Sequence, residues 1–535
     1  MSRAEASGSR LPSGAARAVL AAVLVVAAAL RVAALDKPFY VDEITTITVA
    51  SQPLAVMGET MRLIDASPAL YPLLLHGWMD VSRADVWLRL LSAIFGWLAV
   101  FVVFRLGARA FGWKAGLAAA AIMAIAPAHV HYAQYVRNYS LFTLLAALHV
   151  LLVSEWLDPD GRRTGWRFAG LAVVTTALFY THYLSLLLLP AEGVFALMRW
   201  RTARNAVIGW GATVAVAGVL FLPGVPLLLH NVEFDRARNL DRPEPPPLVE
   251  LIPTLAAELT VGQRSLGFDD PQVRRTTLVA AVLLVPGLAL LGLWRGIGSG
   301  HDRAILLALV ALLPLAIYVG SGRRLVAVRF FLPFMVGYIA LAGNGLASLS
   351  RRSAVAVGGA LVILCAVPLT HFYTSYAWSY DHRRVAAAIG ATAGPDDALL
   401  TVHPFETLYY RWYLGDALPM QGLMFTPLED QDTYVIKPPP LDLPRAQARV
   451  RQAAARHDRV WIVGQSERSF AFDETEPEGQ LLAWLDEHYE RVDDLDALTG
   501  GDPWIRAYRR PAAPEDAAAG EDPAEGGDPA AGGPR

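Results

Sequence analysis

Residues 86–106 read VWLRLLSAIFGWLAVFVVFRL, with Arg89 and Arg105 as the only charges. A helix needs about 20 mostly apolar residues to cross the hydrocarbon core, so this stretch is a membrane span with an arginine near each end. Similar runs lie on either side of it, at 18–35, 115–130, 139–156, 168–180, 184–198, 207–229, 278–294, 304–319, 330–349 and 354–369. Together they predict a mostly α, polytopic transmembrane bundle of about eleven spans by the length criterion. The runs 168–180 and 184–198 are short for full crossings. The first run follows Arg3, Arg10 and Arg17, as a signal peptide would, but with so many spans after it a retained anchor is expected.

The composition agrees. Of 535 residues, 54% are hydrophobic and only 18% charged, against roughly 25% charged in soluble domains; mean hydropathy is +0.36. With 46 basic against 49 acidic residues, the net charge is −3. That balance excludes a nucleic-acid partner bound by phosphate neutralisation. The sole cysteine, Cys365, excludes an intrachain disulfide, a cysteine metal site and a dithiol couple. Lysine occurs only at 37, 114 and 437, while alanine and arginine abound, a bias suggesting a GC-rich bacterial genome and so a bacterial cell (inner) membrane.

Basic residues in short loops mark the cytoplasmic side. With the N-terminus inside, the inner turns carry Arg105, Arg109 and Lys114, then Arg162 and Arg163, Arg199, Arg201 and Arg204, Arg295 and Arg303, and Arg351 and Arg352. An odd span count then places the C-terminal part outside. The expected organisation is a membrane module over 1–371 with outer loops 36–85 and 230–275, an extracytoplasmic α/β domain over 372–510, and a disordered acidic tail over 511–535. Residues 69–79 suit a helix along the interface. Alternating helix-like and strand-like pieces argue for the α/β domain, and the tail lacks large apolar residues.

Charges at membrane depth are costly and need a reason, so the outer-end polar residues are the candidates for chemistry. Asp42 and Glu43 adjoin one another just beyond the first span; acids there also suit a helix start. The segment Ala126-Pro127-Ala128-His129-Val130-His131-Tyr132-Ala133-Gln134-Tyr135-Val136-Arg137-Asn138-Tyr139 is densely polar and aromatic on the same side. Its tyrosines fit an interfacial belt, but Arg137 runs against the positive-inside pattern and its guanidinium fork suits phosphate oxygens. Arg89, Thr181-His182-Tyr183 and Arg329, which precedes Phe330, complete the outer-end set. Arg329 also suits simple snorkelling to the headgroups.

In these residues the chain resembles the GT-C class of membrane glycosyltransferases, specifically the dolichyl- or polyprenyl-phosphate-mannose mannosyltransferase-like group, glycosyltransferase family 39. Tyr40-Val41-Asp42-Glu43 is similar to the family's acidic motif, and residues 65–76, DASPALYPLLLH, resemble its next loop, with Ser-Pro-Ala in place of the usual His-Pro-Pro. Arg89, the 134–139 segment, Thr181-His182-Tyr183 and Arg329-Phe330 match in order and approximate spacing. The resemblance implies sugar transfer from a polyprenyl-phosphate donor to a lipid, glycan or protein acceptor on the extracytoplasmic face, usually with inversion, in contact with membrane lipids. It makes Asp42 the catalytic base, with Glu43 orienting it. Arg137, Tyr139, Arg329 and Arg89 become donor-phosphate ligands, with His131, Gln134, His182 and Tyr183 as further site residues. The family's Gln-Glu-x-Arg is here Gln134-Tyr135-Val136-Arg137, so one acid is missing; no cofactor is firmly implied, and a divalent cation held by Glu43 and His182 stays open.

Two other classes fit parts of the pattern. A transporter or flippase of a lipid-linked or anionic substrate would show inverted repeats and ionisable groups near the midplane, whereas these groups gather at one interface. A non-catalytic scaffold would account for the outer domain but leave Asp42, Arg137 and Arg329 without roles.

Overall fold

A computed structural model describes residues 14–64, 67–240, 247, 251, 255, 258–259, 271–322, 327–374, 381–424, 441–464, 477–494 and 504–510. The chain enters through α1 (Gly14–Val32) and then forms three short helices, α2 (Val41–Ala50), α3 (Leu54–Ile64) and α4 (Leu70–Met79). The long α5 (Asp85–Phe111) follows, then α6 (Trp113–Ile125), α7 (Pro127–Ala133), α8 (Tyr139–Trp156), α9 (Gly165–Phe179), α10 (Leu188–Met198), α11 (Trp200–Phe221) and α12 (Val225–Leu240). The remaining helices of the bundle are α13 (Pro271–Gly298), α14 (Arg303–Gly320), α15 (Val328–Phe331), α16 (Met335–Ala347) and α17 (Arg351–Thr374).

All eleven expected runs fall on helices, but fewer meet the strict length test. Among the described residues six helices are long and apolar enough to cross a membrane, or seven if α6 and α7, bent by 63°, count as one broken span. The other runs lie on shorter apolar helices, Gly165–Phe179, Tyr183–Met198, Leu283–Gly298 and Met335–Ala347. The bend has a local cause. Pro127 has no N–H to continue the α6 ladder and biases Ala126 toward extended backbone, and Ala126 has φ −63° and ψ 111°.

Helix packing in the bundle relies on glycine where backbones touch, as lipid-solvated helices often do. A Cβ on Gly292 of α13 would lie 1.9 Å from the Leu341 carbonyl oxygen of α16, and one on Gly345 would lie 2.0 Å from that of Leu288. Outward-facing Trp166, Val173, Leu197 and Ile363 are exposed, as expected where lipid, not water, is the solvent.

The helix expected along the interface is α4, and it is anchored to the bundle. Trp78 and Trp87 stack at 4.3 Å, each indole donating to the other's carbonyl at 2.7 and 3.0 Å, and the Tyr71 and Ser92 hydroxyls meet at 2.6 Å.

The C-terminal region folds as α18 (His382–Thr392), β1 (Asp397–Thr401), α19 (Pro404–Leu414), β2 (Met420–Gly422), α20 (Leu443–Arg456), β3 (Arg459–Gly464), α21 (Pro477–His488), β4 (Glu490–Asp494) and β5 (Trp504–Arg509). The sheet order is β2-β1-β3-β5-β4, parallel across its first three strands and antiparallel across the last two. The α/β alternation is as the sequence suggests. The short β2 and polar β4 were not legible, because neither has the run of alternating apolar residues that marks a strand. Helix α19 packs on this sheet through Tyr410 and also on α2, so Leu408 and Tyr409 share a core with Phe39, Ile44 and Ile47 of the loop that follows α1. The expectation for the 511–535 tail lies outside the described residues.

Candidate active site

Asp42 and Glu43 occupy the first turn of α2 but have opposite surroundings. Tyr40 is the N-cap, and Glu43 reaches back to accept its N–H at 2.9 Å, as in a capping box. Glu43 also accepts from Arg89 Nε at 2.9 Å, from Arg89 Nη2 at 3.0 Å and from the Val136 N–H at 3.0 Å. Both side chains are fully buried.

Arg89 is correspondingly saturated. Besides its two bonds to Glu43, Nη1 donates to the Leu35 and Lys37 carbonyls and Nη2 to that of Pro38. A guanidinium has five N–H donors, and all five are occupied. The expectation that Arg89 binds donor phosphate is therefore corrected: it has no donor left for an external anion, and it fixes the 35–38 turn and the Glu43 carboxylate. Its ring partner is Phe39, 4.4 Å away.

Asp42 is half-buried, and no described residue hydrogen-bonds its carboxylate. Its backbone carbonyl is the part engaged, accepting from Thr45 Oγ1 at 2.9 Å, Thr46 Oγ1 at 3.1 Å and Arg137 Nη1 at 3.3 Å. Arg137 also donates to Thr46 Oγ1 at 2.8 Å and Ser67 Oγ at 3.5 Å, and its guanidinium lies 6.0 Å from the Tyr139 ring centre.

Arg329, on the short helix α15, completes this flank. Its Nε is buried with no hydrogen-bond partner. The pKa of its guanidinium is raised by Tyr139 first, with burial opposing and Asp42 and Tyr132 adding to the rise. His182 packs flat on Phe142 at 4.8 Å and accepts the Leu184 N–H at Nδ1, 3.2 Å away. Burial, then Arg137 and Arg329, push its pKa down to about 3. The ring is therefore neutral at ordinary pH, with its proton on Nε2 as a hydrogen-bond donor. Asp42, Arg137, Tyr139, Arg329 and His182 thus come together.

The other expected residues have different surroundings. Gln134 is fully buried, donating to the Leu30 carbonyl at 2.7 Å and Tyr373 at 3.2 Å and accepting from Lys37 Nζ at 3.3 Å. It ties α1, α7 and α17 together. His131 is buried against Tyr132, Tyr135 and Phe372, and Tyr183 packs in a cluster with Phe179 and Phe221. The residues do not fit the expected Glu43–His182 cation site. The Glu43 oxygens already accept four hydrogen bonds, the His182 Nδ1 accepts a backbone N–H, and no three His, Cys, Asp or Glu side chains converge among the described residues.

Sequence reading missed several supports. Lys37 is buried, 4.8 Å from the Phe372 ring centre, and burial followed by Arg89 lowers its pKa to about 7, against a raising effect of Glu43. The available signal was its rarity, as one of only three lysines. Arg31 is buried at the bend: Nη1 donates to Ala27 and Ala124 carbonyls, and Nη2 to the Met123 carbonyl and His129 Nδ1 at 2.7 Å. It caps the carbonyl end of α6, which aims α7 at the site. Only the fold reveals that partner, 93 residues away.

The dolichyl-phosphate-mannose-protein mannosyltransferase family matches residues 66–226. In fold the chain is similar to ArnT from Cupriavidus metallidurans bound to undecaprenyl phosphate, with TM-score 0.57 and 15% identity over 93% of this chain and 98% of that one. It is also similar to the oligosaccharyltransferase AglB from Archaeoglobus fulgidus in complex with an inhibitory peptide and a dolichol-phosphate, with TM-score 0.52 and 10% identity over 89% and 72%. For the mycobacterial arabinofuranosyltransferase AftD the TM-score is 0.51 with 15% identity over 94% of this chain, which spans 42% of that longer protein. No curated protein matches the chain by sequence. With its apolar helices, its candidate site at one end of the bundle and its C-terminal α/β sheet, the chain is a multi-pass membrane protein with the GT-C glycosyltransferase fold.

Proposed function

We propose that this protein transfers a sugar from a polyprenyl-phosphate-linked donor to an acceptor hydroxyl at the outer membrane face, inverting the anomeric centre. The observation that carries this reading is the Asp42 carboxylate, unpartnered among the described residues, beside the Arg137 and Arg329 cations, with Glu43 held away in its own ion pair. Asp42 accepts the acceptor's proton as the acceptor oxygen bonds to the sugar C1. The C1–O bond to phosphate breaks, its electron pair stays on the phosphate oxygen, and Arg137 and Arg329 stabilise that charge. Tyr139 and the His182 Nε2–H lie beside the same anion. The undecaprenyl phosphate and dolichol-phosphate of the similar structures support a lipid-phosphate donor.

In this reading the membrane module covers 1–371 and the outer domain 372–510, the N-terminus is cytoplasmic and the membrane is the bacterial inner one. Lipid, glycan and protein acceptors all present a suitable hydroxyl. The transporter reading needs ionisable groups along a midplane path; the buried pair His149–Glu192, 2.9 Å apart, is instead closed off by Trp210 and Thr175.

The test is purified protein in nanodiscs, given polyprenyl-phosphate-mannose, -glucose, -galactose and -arabinose with a panel of octyl glycosides. Wild type should form product with at least one pair, and Asp42→Asn and Arg137→Ala should abolish it. Substrate flux without any sugar transfer would establish the transporter instead.

A further inference from the structure

Arg137 belongs to 134–138, the non-helical link between α7 and α8. A long side chain on such a link has many rotamers open to it, so its guanidinium needs a partner that aims it. The backbone of the link is fixed from two sides: the Val136 N–H donates to Glu43 Oε1 at 3.0 Å, and Ser92 Oγ donates to the Arg137 carbonyl at 3.3 Å. The side chain is fixed by α2. Arg137 Nη1 donates to Thr46 Oγ1 at 2.8 Å and to the Asp42 carbonyl at 3.3 Å.

Thr46 is 2% exposed and stands one turn after Asp42 on α2, so the two share a helix face. A threonine hydroxyl has one proton and two lone pairs. The Thr46 proton is committed to the Asp42 carbonyl at 3.1 Å, a back-bond within its own helix, which leaves a lone pair to receive Arg137. The bonds therefore run one way, from guanidinium to hydroxyl to the Asp42 carbonyl. They tie the cation to the same turn that carries the Asp42 carboxylate, through protein atoms alone. Thr45 makes the same back-bond to the Asp42 carbonyl, at 2.9 Å. Of the two hydroxyls, it is that of Thr46 which receives Arg137.

We propose that Thr46 is a positioning residue for sugar transfer: its hydroxyl holds the Arg137 guanidinium in register with Asp42 before the donor phosphate arrives. This rests on the transferase reading above, in which Arg137 meets that phosphate. Such prealignment matters because a displacement of about 1 Å can cost a hundredfold in rate. Thr46→Val keeps the shape and removes the hydroxyl, whereas Thr46→Ser keeps the hydroxyl.

The experiment uses the full-length protein in nanodiscs and the donor and octyl glycoside pair on which wild type is active, varying each substrate in turn. Thr46→Val is expected to lower kcat/KM for the donor about ten- to a hundredfold, with acceptor KM at its wild-type value. Thr46→Ser should restore the donor kcat/KM. Thr45→Val, which loses the same back-bond but no contact with Arg137, should stay at wild type and so controls for the helix turn itself. Thr46→Ala carries the same expectation as Thr46→Val and decides the matter where the valine variant fails to fold. An unchanged donor kcat/KM, an equal loss in Thr45→Val, or a loss that serine does not restore overturns the proposal while the transferase reading stands. No transfer by wild type with any pair removes both.

Discussion

Glu43 and Arg89 meet in a two-point ion pair, Nε to Oε1 at 2.9 Å and Nη2 to Oε2 at 3.0 Å, with both side chains sealed from solvent. The pair joins α2 to α5 and draws the 35–38 turn against the bundle through three more guanidinium bonds. The acid that reads as half of a catalytic couple is therefore the anchor that aims its neighbour, Asp42.

Breaking that anchor should be costly. Removing one member of a buried pair leaves an uncompensated charge, typically about 3–5 kcal/mol. Glu43→Gln and Arg89→Met should each lower the thermal midpoint in detergent markedly, and the double variant should lose less than the sum of the two. Strictly additive losses would mean that the two side chains do not act as a unit.

Asp42 should behave in the opposite way. Because its carboxylate has no partner among the described residues, Asp42→Asn should leave stability within about 0.5 kcal/mol of wild type while sugar transfer disappears. Differential scanning fluorimetry alongside the transfer assay checks this; joint loss of both properties would reassign Asp42 to structure.

Arg31 tests the broken span. Its fork bridges carbonyls on two helices and the His129 ring, a geometry that a lysine ammonium does not reproduce. Arg31→Lys should therefore lose stability nearly as much as Arg31→Met. Full rescue by lysine, seen as a wild-type unfolding midpoint, would show that charge alone holds α6 and α7 in place.

His382 predicts an acid limit for the C-terminal α/β region. Burial lowers its pKa to about 3, against about 6.5 in the unfolded chain. Between those values the unfolded state binds the extra proton, so stability falls as pH drops from about 6.5 toward 3. His382→Phe keeps a ring against Tyr409 but cannot titrate. Its thermal midpoint should fall less than that of wild type between pH 7 and 4; parallel curves would contradict the assignment.

The Asp85 clamp on the C-terminal α/β region should be separable from the site. Asp85→Ala removes the shared acceptor of Arg383 and Tyr413, so limited proteolysis should release the C-terminal region faster than from wild type. An unchanged release rate would leave the apolar α19–α2 contact as the main link.

Much of this protein follows from local chemistry. Each apolar run corresponds to a helix because burying backbone polar groups in lipid leaves helices or closed barrels as the only solutions, and the runs are too long and too unbroken for barrel strands. Asp42, Arg137 and Arg329 were readable as candidates because charge near a membrane face conflicts with its solvent. Only the tertiary structure separated Asp42 from Glu43 and turned Arg89 from ligand to anchor. Adjacent acids look alike in a chain, and which is free depends on donors 46 and 93 residues away. The same holds for Tyr409, which meets the loop after α1 because α19 folds back on α2, a contact that no local pattern encodes.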